Sequence, residues 1–395
     1  MRRRLLPVLP VLTVLTVLSA LPALSLAQSS DRGAYVVRLG TDTVSVESFT
    51  RSATTLVGDR VIRSPRVSLL HYEATLGSDG RITRLEASSR PGNRLDLPPL
   101  QSATIEVHGD SADISLTQAD STRSYVMHIR PGAVPMFNST YALYAQMARQ
   151  LVREKADSLG VDMIMPGVLT ATPTTISRIG RDSVAIDYYG SPMHARIDAQ
   201  GRMEGLQASM TTVKVVVTRQ DSADVSALAH AFAAAEIQAG PLGQMSPRDT
   251  AHAMIAGAML MVDYGRPHMR GRKVFGGIVP MGEVWRTGAN AATQFSTDKP
   301  LVFGDVTLPA GMYTLWSVPG ENGAQLIING QTGQWGTDYD ASKDLARVPL
   351  RQSALPEAIE VFTISIHPRG ANGGTLVFEW EKTRWEADFE VKTGS

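Results

Sequence analysis

Between residues 34 and 218, short stretches of alternating apolar and polar residues are separated by Gly and Asp residues. Alternation with a period of two residues is typical of a strand with one buried face and one exposed face. The intervening Gly and Asp residues are typical of hairpin turns, so consecutive strands are expected to pair antiparallel. The pattern therefore predicts an antiparallel β meander in the N-terminal half of the chain.

Two stretches of this region occur twice, in the same order. Residues 38–49 match residues 178–189, and residues 76–88 match residues 197–209. The second match has a glycine, Gly80 in its first copy, where a hairpin turn requires a positive φ. We interpret the two matches as a duplicated antiparallel β unit, with chance similarity between hairpins as the alternative.

One helix is predicted inside this region. Ser139 is a suitable N-cap, apolar residues recur at helical spacing between residues 141 and 159, and Gly160 is a typical stop. Such an apolar stripe is typical of a helix that is docked on a sheet.

A second helix is predicted between the two halves of the chain. It is rich in alanine, begins at residue 221 or 222, and extends to residue 238 before a Gly-Pro pair. We assign residues 221–244 to a helical linker. It separates a domain of residues 28–220 from a second domain of residues 245–395.

From residue 245 onward the pattern predicts strands alone. Many short alternating stretches with Gly, Pro and Asn between them are typical of a β-sandwich or a jelly roll. The predicted strands span residues 249–255, 259–264, 292–296, 301–308, 312–318, 325–329, 359–366, 375–381 and 385–391. The predicted fold class is mainly β: a meander with one docked helix, a helical linker, and a sandwich-like domain.

The first residues have the pattern of a secretory signal peptide. Arg2, Arg3 and Arg4 precede an apolar stretch, and the tripeptide Ser-Leu-Ala that ends at Ala27 resembles a signal peptidase site. We expect cleavage near Ala27 and export to the periplasm or the extracellular space; an uncleaved membrane anchor is the alternative. No later stretch reaches the ~20 apolar residues of a spanning helix, so no transmembrane segment is expected in the mature chain.

The composition of the chain excludes several kinds of site. The chain of 395 residues contains no cysteine, which excludes disulfides, thiolate metal sites and cysteine nucleophiles. Basic and acidic residues both number 38, and a near-neutral surface without a basic block offers no footprint for nucleic acid. None of the eight histidines stands at metal-ligand spacing, so neither a metal site nor another cofactor is expected.

Several long motifs of the second half resemble a known bacterial family. They are Asp-Tyr-Gly-Arg-Pro at residues 263–267, Arg-Gly-Arg-Lys-Val-Phe-Gly-Gly-Ile-Val-Pro at 270–280, Val-Trp-Arg-Thr-Gly-Ala-Asn at 284–290, Leu-Pro-Ala-Gly-Met-Tyr-Thr-Leu-Trp at 308–316 and Gln-Trp-Gly at 334–336. Over residues of about 245–391 the chain resembles the bacterial domain of unknown function 2911. The resemblance implies an exported β domain without an assigned activity. The chain departs from the family pattern at Met281, where Tyr is commoner, and at Ala291, where Glu often follows the Asn.

The segment between residues 264 and 290 combines five basic residues with six glycines and has little periodicity. Glycine lets a backbone approach a ligand closely, and guanidinium groups bind carboxylates, phosphates or sugar hydroxyls. Tryptophans offer flat apolar faces to a sugar ring. The predicted ligand-binding residues are Arg266, Arg272, Trp285, Arg286, Asn290, Trp316 and Trp335. The alternative is that the indoles fill the core and that the arginines pair with nearby acids.

A catalytic role has weak candidates, which are His252, Asp263 and His268 on one predicted hairpin and its exit. No nucleophile elbow, phosphate loop or dinucleotide fingerprint occurs in the sequence. The first hypothesis is therefore a non-catalytic exported protein that binds a polar small molecule or a glycan. The alternatives are a hydrolase with a His/Asp pair in the C-terminal domain, and a structural or lipid-facing assembly protein. The sequence predicts neither the ligand nor an oligomeric state.

Overall fold

The computed structural model describes residues 30–188, 190–321 and 323–392, and the predicted signal peptide lies outside these ranges. The described part of the chain is mainly β, as predicted, with two α-helices. Neither of these helices is long and apolar enough to cross a bilayer.

The N-terminal half forms one sheet of 15 strands. The strands are β1 Asp31–Leu39, β2 Asp42–Arg51, β3 Thr55–Ile62, β4 Ser68–Leu76, β5 Ile82–Pro91, β6 Gln101–His108, β7 Ser111–Gln118, β8 Ser121–His128, β9 Val134–Pro135, β10 Ser158–Ile164, β11 Thr172–Gly180, β12 Ser183–Asp187, β13 Met193–Ile197, β14 Met203–Gln207 and β15 Val216–Gln220. They follow one another in the order β8 to β1 and then β15 to β9, so the first strand pairs with the last, antiparallel. All neighbours are antiparallel except β9 and β10, which confirms the predicted meander.

Helix α1, Tyr141–Arg153, lies inside this sheet, because ten of its 13 residues are buried and pack with strands from both ends of the sheet. The predicted end at Gly160 is wrong. A residue in the left-handed region, Lys155, follows the helix, and the chain then enters β10, whose backbone pairs with β11. The predicted N-cap Ser139 is also wrong, since Thr140 holds that position and makes no side-chain cap.

The four matched stretches all form hairpins, namely β1–β2, β4–β5, β11–β12 and β13–β14. Gly80 and Gly201 have φ angles of 68° and 74° in the turns of the second pair, which confirms the predicted turns. Strand β3 separates the matched hairpins of the first copy, whereas β13 follows β12 directly in the second copy. The additional strand β3 reverses the chain direction of the second hairpin of the first copy, so the two copies differ in arrangement. The duplication therefore stays a prediction.

Helix α2, Val225–Ala239, begins three or four residues later than predicted, with the Asp224 carboxylate accepting a bond of 2.9 Å from the Ala227 amide. The helix packs on the outer face of the 15-stranded sheet, where Val225 and Ala229 share a cluster with valines of β1 to β3. The carboxylate of Glu236 accepts a hydrogen bond of 2.7 Å from the Val67 amide. The predicted linker helix is therefore docked on the N-terminal unit.

The C-terminal part forms a nine-stranded sheet that folds over one core. Its strands are β16 Arg248–Ile255, β17 Ala258–Gly265, β18 Thr293–Thr297, β19 Leu301–Phe303, β20 Val306–Leu308, β21 Gly311–Gly320, β22 Gly323–Asn329, β23 Asp344–Arg369 and β24 Gly373–Val391, in the order β16-β17-β18-β21-β22-β23-β24-β19-β20. The long strand β23 pairs first with β22 and then with β24, and it thereby joins the two layers of the predicted sandwich. The two strands predicted at residues 375–391 are one strand, β24, with an irregularity at Glu381 (φ 55°).

The loop between β17 and β18 contacts the turn between β1 and β2. The Thr41 amide donates a hydrogen bond of 3.0 Å to the Arg270 carbonyl, and the Arg270 guanidinium forms an ion pair with Asp42. Gly40 is required at this contact, since a Cβ there would collide with the Arg270 carbonyl. The two units are therefore in direct contact, and the cleft between them has a defined shape.

Candidate functional site

The second half of the loop between β17 and β18 is held rigidly against β21. Trp285 and Ser317 exchange backbone hydrogen bonds of 2.7 and 2.8 Å, and the Thr287 hydroxyl donates to the Ser317 hydroxyl at 3.0 Å. Gly265 packs so closely on the loop that a Cβ there would collide with the Ala289 carbonyl. Because both ends of residues 285–289 are fixed, the Arg286 side chain is presented at a defined place.

Arg286 borders a cavity of about 1070 Å³ between the two units. No hydrogen bond or ion pair joins its side chain to any residue that the structure describes, and its Nε atom is buried without a partner. A Cβ at residue 336 would collide with the Arg286 Cδ atom, so Gly336 makes room for the side chain. Burial lowers the pKa of Arg286 to about 10. A half-buried guanidinium without a compensating acid is costly, and groups with such a shifted pKa cluster at functional sites.

Two further cations line the same cavity. Lys214, just before β15, has its pKa lowered to about 8 by burial and then by the charges of Arg286 and Arg272. Arg272 donates to the carbonyls of Met269 and His268 at 3.0 and 2.8 Å, so backbone acceptors hold it in place.

Acidic groups are scarce around this cavity. Arg60 of β3 is a fourth cation of the lining. Among the described residues that line the cavity, Glu283 is the only acidic one. An excess of cations in a partly enclosed site favours binding of an anion. The cavity thus has the electrostatic character of an anion site.

The floor of the cavity on the N-terminal side is apolar. Val37 and Leu39 of β1, Val44 of β2 and Ile62 of β3 line it together with the ring of Tyr141 at the start of α1. The strands β1 to β3 lie in the middle of the 15-stranded sheet. The cavity therefore combines a cationic wall with an apolar one.

The predicted tryptophans differ in their environments. Trp285 is buried and stacks on Trp380 with ring centroids 5.9 Å apart, and Trp316 is buried with its Nε1 atom donating to the Thr314 hydroxyl at 3.0 Å. Both border the cavity while belonging to the packed interior. Trp335 is 47% exposed and lies outside the cavity lining.

Of the remaining predicted binding residues, Asn290 borders the cavity and Arg266 does not. Asn290, at φ 62°, borders the cavity, and its Nδ2 atom donates a hydrogen bond of 3.4 Å to the Ser246 carbonyl. Arg266 lies away from the cavity, where it forms an ion pair of 2.9 Å with Asp249. Of the seven predicted residues, the structure brings five to the cavity, namely Arg272, Trp285, Arg286, Asn290 and Trp316.

The predicted catalytic residues are not joined by hydrogen bonds in the described part of the chain. Both oxygens of Asp263 accept bonds from the Arg248 guanidinium, at 3.0 and 2.9 Å. His252 is exposed on β16 opposite Met261, and burial together with Arg270 lowers the pKa of His268. None of the three candidates lines the cavity. Among the described residues, no group of three His, Asp or Glu side chains is arranged to hold a metal ion.

Sequence reasoning missed the contribution of the N-terminal unit. Lys214 and Arg60 lie in meander strands or their connections, and each is far from the glycine-rich loop in sequence. No other basic residue lies within four positions of Lys214, and the three arginines at positions 60, 63 and 66 were not selected as a site. The docking of residues 270 and 271 on the β1–β2 turn, together with the contacts of residue 243, brings these cations to the same cavity as Arg286.

Comparison with known proteins places the C-terminal part in a family. Residues 246–389 match the sequence profile described as protein of unknown function (DUF2911). No curated protein matches the chain.

Two solved structures show weak similarity. One is a DUF1089 family protein from Pseudomonas aeruginosa, 10% identical over 42% of this chain and 90% of that one, with a TM-score of 0.31. The other is a beta-barrel-like protein of DUF1849 from Brucella abortus, 10% identical over 48% of this chain and 95% of that one, with a TM-score of 0.34. By its profile match, the C-terminal part of the chain, residues 246–389, belongs to the DUF2911 family of unknown function.

Proposed function

We propose that the chain is an exported, non-catalytic protein that binds a small molecule or a glycan with an anionic group in the cavity between its two units. The observation that carries this proposal is the Arg286 guanidinium, which borders the cavity without a partner among the described residues. A carboxylate or phosphate would supply two acceptors in the fork geometry that a guanidinium prefers.

The surroundings of Arg286 support the same ligand chemistry. Lys214 and Arg272 lie on the same cavity, close enough for the charges of Arg286 and Arg272 to lower the pKa of Lys214. A bound anion would relieve this repulsion. The predicted acid–base residue Asp263 is engaged by Arg248 away from the cavity, which favours binding over catalysis.

A ligand screen on the purified mature protein tests the proposal. Native mass spectrometry would detect a co-purified ligand, and thermal shift would rank acidic sugars, short carboxylic acids and phosphate monoesters. For the best ligand, Arg286→Met should weaken binding roughly 10-fold to 100-fold in calorimetry, the range of a lost charge-assisted hydrogen bond.

Arg266→Met is the matched control, because it removes the same charge from the same loop away from the cavity. It should leave ligand affinity unchanged. Equal affinity of Arg286→Met and the unmodified protein for every ligand of the screen would contradict the proposal, as would equal weakening by both variants.

The apolar wall of the cavity favours a second candidate, an amphipathic anion such as a fatty acid. Val44 and Ile62 could pack against an acyl chain while the cationic wall holds the head group. Val44→Asn should then weaken binding of a long-chain acid and leave binding of a short acid unchanged. Equal effects on both acids would remove this candidate and leave the first one in place.

Export is part of the same proposal and has its own test. The mass of the protein recovered from the periplasm or the medium should correspond to a chain that begins near Gln28. A full-length mass in the membrane fraction would instead favour the uncleaved anchor.

A further inference from the structure

A second surface of the C-terminal domain carries an unusual set of side chains. Met254 on β16 and Met259 and Met261 on β17 are 69%, 58% and 41% exposed. His252 on β16 is exposed on the same face. We call these four side chains the methionine face; Met312 on β21, also exposed, lies at its margin.

The register of the sheet brings the four side chains together. Met254 lies directly opposite Met259, and His252 lies directly opposite Met261, in the antiparallel pair of β16 and β17. Directly opposite residues have Cβ atoms about 4.5–5.5 Å apart, and alternate residues along one strand are about 7 Å apart. Three thioethers and one imidazole therefore stand at the corners of one small rectangle.

Packing does not explain these methionines. The core of the domain is filled from the other face of the same strands, by Ile255, Leu260 and Val262. The next outward pair, Thr250 opposite Asp263, is polar, as is usual for a solvent-facing side of a sheet. Exposed thioethers at the adjacent positions therefore point to a role in binding.

The donors define the class of ligand. A thioether is a soft, neutral donor that selects Cu(I) over hard cations, and imidazole suits copper as well. Of the nearby carboxylates, Asp263 pairs with Arg248, and one oxygen of Asp298 accepts a hydrogen bond of 2.7 Å from the Met259 amide. A site whose donors are three thioethers and one imidazole is suited to a soft monovalent ion.

The length of the methionine side chain makes convergence feasible. Each Met has three rotatable bonds before its methyl group, so sulfur atoms whose Cβ atoms are about 5–7 Å apart can reach a common ion. The position of β16 at the edge of the sheet leaves the site open to solvent on one side. We infer that the methionine face binds one soft monovalent metal ion, Cu(I) or its analogue Ag(I), through Met254, Met259, Met261 and His252.

The test is a competition titration with a colorimetric Cu(I) chelator, under ascorbate and without oxygen. The unmodified protein should withdraw one equivalent of Cu(I), whereas Zn(II) should not bind at this face. Met261→Leu and His252→Asn should each lower the Cu(I) affinity at least about tenfold, since even the loss of an outer-shell partner of a metal ligand usually costs that much.

Met281→Leu is the matched control, since Met281 is 42% exposed and lies on the loop between β17 and β18. It should leave the affinity unchanged, and Arg286→Met should also bind Cu(I) like the unmodified protein, which separates this inference from the proposed anion site. Thermal unfolding of each variant checks that it is folded.

A second measurement locates the ion directly. With methyl-labelled methionine, Ag(I) should shift the resonances of Met254, Met259 and Met261 and leave that of Met281 in place. Two results would overturn the inference: failure of the unmodified protein to take Cu(I) from the chelator, or uptake that Met261→Leu and His252→Asn do not change. If loss of the thioethers abolishes self-association or capture of a partner protein in place of metal uptake, the face is a docking surface and the metal site is wrong.

Discussion

Each wall of the cavity carries an arginine, buried in the case of Arg60 and half-buried in the case of Arg286, and the surroundings of the two differ. On the N-terminal wall, Arg60 of β3 lies opposite Glu47 of β2, whose charge opposes the lowering of the Arg60 pKa by burial. On the C-terminal wall, burial lowers the pKa of Arg286 to a similar value of about 10, and no carboxylate opposes it. The Nε atom of each arginine is buried without a hydrogen-bond partner among the described residues, so the comparison separates a cation that has a carboxylate nearby from one whose charge is left for a ligand.

Glu47 also links the N-terminal wall to α1. One carboxylate oxygen accepts hydrogen bonds of 2.6 and 3.1 Å from the amides of Tyr141 and Ala142, and the other accepts one of 2.5 Å from the Tyr72 hydroxyl. The Arg60 guanidinium donates to the Asn138 carbonyl just before the helix. The carboxylate therefore replaces the missing side-chain cap of α1.

The largest expected effect is the loss of this compensation. Glu47→Ala should lower the free energy of unfolding by about 3–5 kcal/mol, because it leaves two helix amides and the Tyr72 hydroxyl without an acceptor and removes the charge that opposes the desolvation of Arg60. Urea unfolding followed by circular dichroism measures the change.

Glu73→Ala on β4 is the control, since that glutamate is exposed on the same sheet. It should change the free energy of unfolding by no more than about 0.5 kcal/mol. If Glu47→Ala is as mild as Glu73→Ala, the N-terminal wall has no structural need for its acid, and the contrast between the two arginines fails.

The pH dependence of stability gives the next largest effect. Burial raises the pKa of Glu47 to about 7 from an ordinary value of 4.5, although Tyr72 and the helix amides oppose the shift. Between these pH values the folded chain still holds a proton that the unfolded chain has released. The free energy of unfolding should therefore fall as pH rises through this window, by up to about 3 kcal/mol from this group alone.

Comparison with Glu47→Gln isolates that contribution, because other groups titrate in the same range. The unmodified protein should lose stability relative to the variant between pH 4.5 and 7, with no further relative change above about pH 8. Parallel stability curves for the two proteins would show that Glu47 does not titrate in this window.

The sequence predicts much of the scaffold. Alternation over residues 34–218 gives the antiparallel meander, and the apolar periodicity around Tyr144 gives the existence of α1. These features depend on neighbours in the sequence, so local patterns report them. The end of α1 was mispredicted because Leu159 continues the apolar spacing on a strand, where the pairing of β10 with β11 decides the conformation.

The sequence predicts only part of the candidate site, because local patterns report only residues that are close together in the chain. Arg272, Arg286 and Asn290 could be selected from one glycine-rich loop, whereas the role of Arg266 depends on its contact with Asp249 on the neighbouring strand. Lys214 could not be selected, because its place on the cavity depends on how two units dock. The methionine face was missed because cross-strand register, and no spacing along the chain, brings His252 to Met261.

The third prediction removes the uncompensated cation of the C-terminal wall. Arg286→Met should raise the free energy of unfolding by about 1 kcal/mol in the absence of ligand, because the side chain keeps its apolar contacts and loses a buried charge. Arg266→Met should lower it, since that variant leaves Asp249 without its partner. Chemical unfolding of both variants gives the comparison. A loss of stability in Arg286→Met as large as that in Arg266→Met would mean that the fold does compensate Arg286.

The smallest expected effect concerns Lys214, which faces Arg286 across the cavity. Burial and the neighbouring arginines lower the pKa of Lys214 to about 8, so its charge is lost as pH rises through that value. If an anion binds there, as proposed, its affinity should fall about fivefold between pH 7 and 9, which corresponds to the ~1 kcal/mol of one unit charge at about 4 Å in water. Lys214→Met should bind more weakly at pH 7 and should lose this dependence, whereas the exposed control Lys382→Met should retain it. Calorimetry at several pH values measures this dependence of the affinity. The same pH dependence in Lys214→Met as in the unmodified protein would place the anion away from the N-terminal wall.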